Sequence, residues 1–419
     1  MRFKKGVSVG LVATVFFGLL SFGWSLEDAE AVSQWARKYK VDCSTCHVAF
    51  PRLNYFGEKF MRNGFQWPGQ PPDGDTEGKE QVGENLFIDQ VGHWFGARLE
   101  MTPLEYQKDS VTKNGVLTDS LDVGNTNSFQ FFVAGSIFKN VSIFIEQEFK
   151  TEGAETNWYH LAFTNLWDTY ANVQVGRISP VDFTPFSDRL RVWQKSDILN
   201  VKSANGAGEN SVTIRQPRPG IQYYGYKGPV VWFAGLDNGK DASDTDRDKN
   251  FWGGARLYVP ASIKTPFEGS SVGFHYYAGT DTSGGLAGSP AGAPGIQVEN
   301  DFRRYTVSGN VRYKTNLDFL FTYQFGEDDN FNFSAPTPTQ VQFDGYTLIS
   351  AYRHLDWYFV LQYDKVDSND VAGLDVEKFS PSVWYFLRDN FKVGLASRWD
   401  LENSLVQNHE VSVRIRTMF

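Results

Sequence analysis

Residues 41–47 read VDCSTCH and hold both cysteines of the 419-residue chain. Two thiols two residues apart, followed directly by an imidazole, can cycle as a redox disulfide, supply part of a zinc site or anchor a haem. A redox disulfide of this spacing sits beside a βαβ pattern, and none is present. Zinc needs further ligands, and the chain has no other cysteine and no second histidine nearby. Cys-x-x-Cys-His is complete in itself for c-type haem. Cys43 and Cys46 bond to two vinyl groups of one porphyrin, and His47 reaches the iron as proximal ligand from the same turn. One covalently attached haem c is therefore expected.

The distal ligand stays open. Met61 lies in a stretch of helical character that could fold over the other face of the haem, where a thioether would raise the potential, or it simply packs there. His160 and His275 fall on polar, inward positions of alternating runs and are further candidates to cap the iron. His93 and His409 fall on apolar faces.

Haem of this type is attached outside the cytoplasm, so the chain must be exported. Residues 1–25 meet that need as a secretory signal peptide. Arg2, Lys4 and Lys5 form the positive start, Val7 to Phe22 the apolar run, and Gly23-Trp24-Ser25 a small-x-small cleavage site. The run falls short of the ~20 residues that a spanning helix needs, which argues against a retained anchor.

Residues 26–65 are helical in character. LEDAEAVSQWARKYK has acids early and bases late, as a helix dipole favours. In FPRLNYFGEKFMRNGF, Leu53, Phe56, Phe60 and Gly64 recur at helical spacing, which predicts a second short helix with Pro51 in its first turn. Residues 66–84 are a linker rich in Pro, Gly and acids. From 85 to 419 the period switches to two. Counting back from Phe419, Thr417, Ile415, Val413 and Val411 share one face, and Met418, Arg416, Arg414 and Ser412 the other.

About sixteen such runs of roughly ten residues follow one another, from 91–101 and 128–138 to 391–400 and the C-terminal strand. Ten residues suit a tilted strand crossing a bilayer. The fold class expected is an all-β transmembrane barrel of about sixteen antiparallel strands, preceded by a small α-helical monohaem cytochrome c segment. Tight links near 138–141, 167–169 and 355–357 read as periplasmic turns. Long links at 101–127, 180–218, 239–249, 281–300 and 327–343 read as outer loops. The 35 Phe, 19 Tyr and 12 Trp suit aromatic girdles at two membrane interfaces. A mean hydropathy of −0.38 excludes a helical membrane protein, and a net charge of −9 gives no footprint for nucleic acid.

The block ARKYKVDCSTCHVAFPRLNYFGEKFMRNGF (36–65) resembles the haem segment of the fused outer-membrane monohaem cytochrome–porins, among them the outer-membrane iron oxidases of iron-oxidising bacteria. ARKY before the motif carries the likeness, with CSTCH, Pro51, Leu53-Asn54, Phe56-Gly57, Phe60 and Asn63-Gly64 before an aromatic. Position 61 is not one where that family is expected to carry methionine. The resemblance implies a porin-like barrel in the outer membrane. It also implies electron transfer from extracellular Fe(II), through one haem in the lumen or at its periplasmic side, to a periplasmic c-type cytochrome.

The acids of DNGKDASDTDRDKN (237–250) and EDDN (327–330) are candidates to gather Fe(II) or Ca²⁺ at the pore mouth. Lumen-facing Arg98, Arg177, Arg256, Arg398, Arg414 and Arg416 would meet haem propionates or lumen acids. Two other readings share the barrel: a diffusion porin with a haem-bearing plug or sensor, and electron export to another extracellular partner. A soluble periplasmic cytochrome with an appended β-domain is the third.

Overall fold

The computed structural model describes residues 12, 14–18, 33–68, 80–84, 86–88, 90–113, 116–150, 153–202, 213–239, 249–282, 299–331, 340–368, 374–402 and 408–419. Sixteen antiparallel strands close into a barrel. Each of the sixteen alternating runs corresponds to one of them, because a residue that faces lipid must be apolar and its neighbours face the lumen. Tyr159 and Leu161 are exposed on the outer face, while Trp158, His160 and Ala162 between and beside them are buried inward. Closure joins Glu410–Met418 to Phe95–Lys113, with Val413 opposite Leu104 and Thr417 opposite Leu99. The terminal Phe419 exchanges both backbone hydrogen bonds with Ala97, at 2.7 and 2.9 Å.

Three expectations about the strands and their flanks need correction. The first strand begins at Phe95, with Val91–His93 as a 3₁₀ turn before it. The stretch 101–127 is no loop: the strands Phe95–Lys113 and Val116–Phe138 run to 19 and 23 residues and form a tall hairpin. The linker also ends in structure, since Glu80–Gly83 pairs with Leu86–Ile88.

The lumen is filled from the N-terminal side. Helix α1 (Gln34–Tyr39) leads to a 3₁₀ turn at Cys43–Thr45, then to a short ribbon of His47–Ala49 and Arg52–Leu53, then to helix α2 (Tyr55–Arg62). Most of the expected leader and the first part of the expected first helix lie outside the described residues. Pro51 is not in the first turn of α2. The chain around it is held in the ribbon, and Asn54 takes the N-cap, its side chain accepting a hydrogen bond from the Gly57 amide at 2.9 Å.

Side chains from around the barrel grip this plug. Arg52 Nε donates to Asp318 at 2.7 Å, Arg353 to the Val48 carbonyl at 2.9 Å and Lys392 to the Phe50 carbonyl at 2.8 Å. Tyr224 donates to the Arg62 carbonyl at 2.8 Å. Arg353 and Lys392 adjoin the short turns 355–356 and 389–390, and in bacterial barrels the short turns face the periplasm. The plug therefore occupies the short-turn end.

The decisive contact is Glu58. It is buried on α2 and accepts from Arg256 and Arg312, each at 3.0 Å, and from the Tyr258 hydroxyl at 2.6 Å. Burial alone would raise its pKa. The guanidiniums of Arg256, Arg312, Arg52 and Arg62 outweigh that and hold the carboxyl well below the usual carboxylate range.

The stretch 180–218, expected as an outer loop, instead turns inward over its described part. Val181, Phe183, Ile198 and Leu199 are buried against Tyr224, Phe233, Trp252 and Phe343 of the barrel wall. Its apolar residues are withdrawn from water in this way. Arg52 and Arg256 also donate to the Pro185 and Phe183 carbonyls, at 3.1 and 3.3 Å, so the same arginines clamp plug and inward loop.

Glu58→Gln should loosen the plug by about 3 kcal/mol, because it leaves buried Arg256 without its counter-charge and Arg312 with only the more distant Asp318, at 3.6 Å. Hydrogen exchange over residues 33–68 of the intact barrel measures this, and unchanged protection would contradict it. The pH dependence has a definite sign. A depressed carboxyl stabilises fully above its unfolded pKa of about 4.3 and is lost as pH falls through its folded value. Plug protection should thus be flat at neutral pH and decline only in strong acid.

Candidate functional site

The turn that carries the chemistry is built by α2. A Cβ on Gly57 would lie 2.2 Å from the Cys46 carbonyl oxygen and 2.9 Å from Leu53 Cδ2, so only glycine lets the helix approach the Cys-x-x-Cys-His turn this closely. Asn54 fastens the same turn from the other side, donating to the Ser44 and Thr45 carbonyls at 3.1 and 3.0 Å.

No disulfide joins Cys43 to Cys46. Burial raises both pKa values, Cys46 to about 11. His47 Nδ1 lies 3.2 Å from the Pro51 carbonyl. The tautomer that donates this bond leaves Nε2 free as a ligand. Burial pulls the imidazole down to about 4, which keeps it neutral, as ligation requires.

An apolar cavity opens beside this turn, partly continuous with solvent. Cys46, His47, Phe50, Leu53, Phe60 and Phe65 of the plug form one side, and Phe132 and Phe144 of the wall another. Cys43 is not part of that lining and is half-buried at the head of the turn. Arg98 and Arg189 reach the cavity edge, where two carboxylates of a porphyrin would find cations. Two thiols and a neutral imidazole on one turn, an apolar slot and flanking guanidiniums fit a haem c.

Met61 lines this cavity, and so does Met418 of the last strand. Sequence reasoning passed over Met418, whose inward position was nonetheless readable from the alternation. His160 and His275 are buried as expected but do not line the cavity: His160 stacks on Phe144 at 5.6 Å, and His275 faces Phe233. His409 stands against Trp399.

The lumen arginines are mostly paired with acids. Arg98 lies 3.4 Å from Glu100 and 3.7 Å from Glu146, Arg416 lies 2.8 Å from Glu100, and Arg414 bonds Glu105 and Glu410. Arg256 is spent on the plug. Of the acids expected to gather metal, Asp237 is buried 3.8 Å from Arg218, and Asp328 pairs with Arg304 at 2.8 Å. Asp241, Asp244, Asp246 and Asp248 lie outside the described residues. Among the described residues, no three His, Cys, Asp or Glu side chains converge as a metal site.

Two further cavities adjoin the central one. A polar vestibule runs from Lys150 and Glu155, at the outer end of the strand pair that sets Lys150 opposite Gly153, down to Arg98 and Glu146, which also border the apolar cavity. At the short-turn end a groove is lined by His47, Val48, Tyr55, Lys314, Arg353 and Asp389. His47 thus borders both the central cavity and the groove.

No protein-family model matches the chain, and no curated protein matches it. Solved structures do. An anion-selective porin from Comamonas acidovorans superposes with a TM-score of 0.56 at 11% identity, covering 78% of this chain and 98% of that one. In-vitro folded OmpT, an outer membrane protein of Vibrio cholerae, gives 0.51 at 11%, covering 78% and 96%. The outer membrane channel DcaP of Acinetobacter baumannii gives 0.50 at 11%, with the same coverages. At these identities the likeness is one of fold: a porin-type closed barrel.

Gly57→Ala should push the thiol turn away from α2, an overpacking of about 1–3 kcal/mol. We expect less covalently bound haem per chain in a barrel whose heat-modifiable gel migration is unchanged. Full haem content with an unaltered spectrum would count against the close approach as a requirement.

Proposed function

We propose that this chain is an outer-membrane electron conduit. It takes electrons from extracellular Fe(II) and delivers them, through one haem c on Cys43, Cys46 and His47, to a periplasmic c-type cytochrome. The observation that carries this reading is the succession of cavities along the lumen: outer vestibule, apolar slot and periplasmic groove, joined at Arg98 and Glu146 and at His47. The likeness of residues 36–65 to the cytochrome–porins supports it, as does the fit of the slot to a porphyrin.

A bound haem c supplies a reversible one-electron couple. The rest is done by the chain. His47, neutral and oriented by the Pro51 carbonyl, would be the chain's ligand to the iron, and Met61 on α2, which lines the slot as Met418 does, is a candidate for a second. Arg98 and Arg189 neutralise carboxylates at the slot edge, and the aromatic side chains keep water out. Fe(II) is the substrate: it loses one electron in the vestibule, and the Fe(III) formed stays on the outer side. The apolar band of a barrel is ~25 Å tall, so a donor confined to the outer surface is far from a slot at the short-turn end. The vestibule brings donor and slot together. The outward aromatic face meets outer-membrane lipid.

A diffusion porin would use the same barrel, but here two inserted segments take up the lumen, the plug locked by buried ion pairs and the inward loop packed on the wall. Electron export to another extracellular partner would use the same route in reverse.

The test is the holoprotein in liposomes that enclose an oxidised c-type cytochrome. External ferrous citrate should reduce the enclosed cytochrome, and His47→Ala should abolish the reduction while heat-modifiable migration persists. A wild-type protein that conducts small ions freely and transfers no electrons would establish the diffusion porin instead.

A further inference from the structure

We propose that the outer vestibule is an anion-binding site, and that iron reaches the slot as an anionic polycarboxylate chelate and not as the bare Fe(II) ion. This names the substrate class for the conduit proposed above and rests on that reading.

The wall carries the argument. The chain as a whole has a net charge of −9. Yet among the described residues the vestibule is lined by eight basic side chains and four acidic ones. A neighbouring cavity that shares Arg98, Arg191 and Lys195 with it has six basic and three acidic. The acids are already shared out. Asp188 serves both Arg215 and Arg191, the latter at 3.7 Å, and Glu146 and Glu100 both serve Arg98.

Lys195 and Lys202 line the vestibule and make no ion pair with a described carboxylate. Both ammoniums are exposed in the vestibule, and partial desolvation, with the neighbouring guanidiniums of Arg215 and Arg191 adding to it, pulls Lys195 down to about 8. Low-dielectric walls focus such a field, repelling aqueous Fe(II) and concentrating anions. Guanidiniums and ammoniums pair well with carboxylates, so the surplus fits a chelator's free carboxylates. The floor of the vestibule, at Arg98 and Glu146, is the edge of the slot, so an anion held there stands next to the electron acceptor. Of the acids expected to draw a bare cation, the described Asp237 and Asp328 are committed to Arg218 and Arg304.

In the redox step, the chelated Fe(II) gives up one electron, for which a ferric haem c on Cys43, Cys46 and His47 would be the acceptor. The iron leaves as the Fe(III) chelate, one unit less negative, with no proton transferred.

The experiment uses the detergent-purified holoprotein and the variant Lys195→Glu/Lys202→Glu, with the milder Lys195→Gln/Lys202→Gln as a folding safeguard. Calorimetric titration with citrate should show binding to the wild type and a loss of about tenfold or more in affinity in the charge-reversed variant. In stopped flow, the same variant should slow haem reduction by ferrous citrate by about the same factor. It should leave reduction by the cation hexaammineruthenium(II) unchanged or faster. The proposal is overturned if the wild type does not bind millimolar citrate, if the variants bind it as well as the wild type, or if both donors slow alike. If citrate binds as expected and neither donor reduces the haem, the anion site stands and the conduit reading fails.

Discussion

Everything else depends on holding charge inside a barrel away from water. Glu58 on α2 is closed in by Arg256, Arg312 and Tyr258, and Arg52 on the ribbon by Asp318. Each pair joins the plug to the wall, so neither side can leave without stranding an ion in a poorly solvated place. This makes the N-terminal segment part of the barrel and fixes its depth at the short-turn end. Arg52 and Arg256 also hold the inward loop through Pro185 and Phe183. One small set of guanidiniums thus sets the position of both inserts.

Once plug and loop are fixed, the lumen divides into three unlike spaces. A polar vestibule stands above, an apolar slot lies beside the thiol turn, and a groove opens among the short turns. Substrate solvation, cofactor burial and partner access make conflicting demands on one site, and here they are met in succession along the axis. His47, at the border of slot and groove, sits where an electron would leave.

Much of this was legible in the sequence. Period two is imposed by lipid on every strand, so all sixteen could be read in order, and the inward positions of Arg98, Arg256, His160 and His275 followed. The thiol turn was legible because Cys43, Cys46 and His47 are contiguous. What was missed depends on contacts between distant segments. VDFTPF and DILNV read as loop because their Asp, Pro and Asn residues are turn formers, yet Val181, Phe183, Ile198 and Leu199 are the residues that the wall buries. Glu58 drew no notice in the sequence, since nothing local announces that Arg256 and Arg312 will surround it. Gly57 appeared only as part of a resemblance, and its reason is the Cys46 carbonyl on the neighbouring turn.

The central claim is that a plug held in the lumen carries a haem which extracellular iron can reach. The most direct measurement is a spectral titration of the purified, oxidised protein with ferrous citrate. The expected result is one covalently bound haem c per chain, reduced to completion as one electron enters each chain. A chain that carries no covalent haem, or a haem that stays oxidised at every ferrous citrate concentration, would contradict the claim.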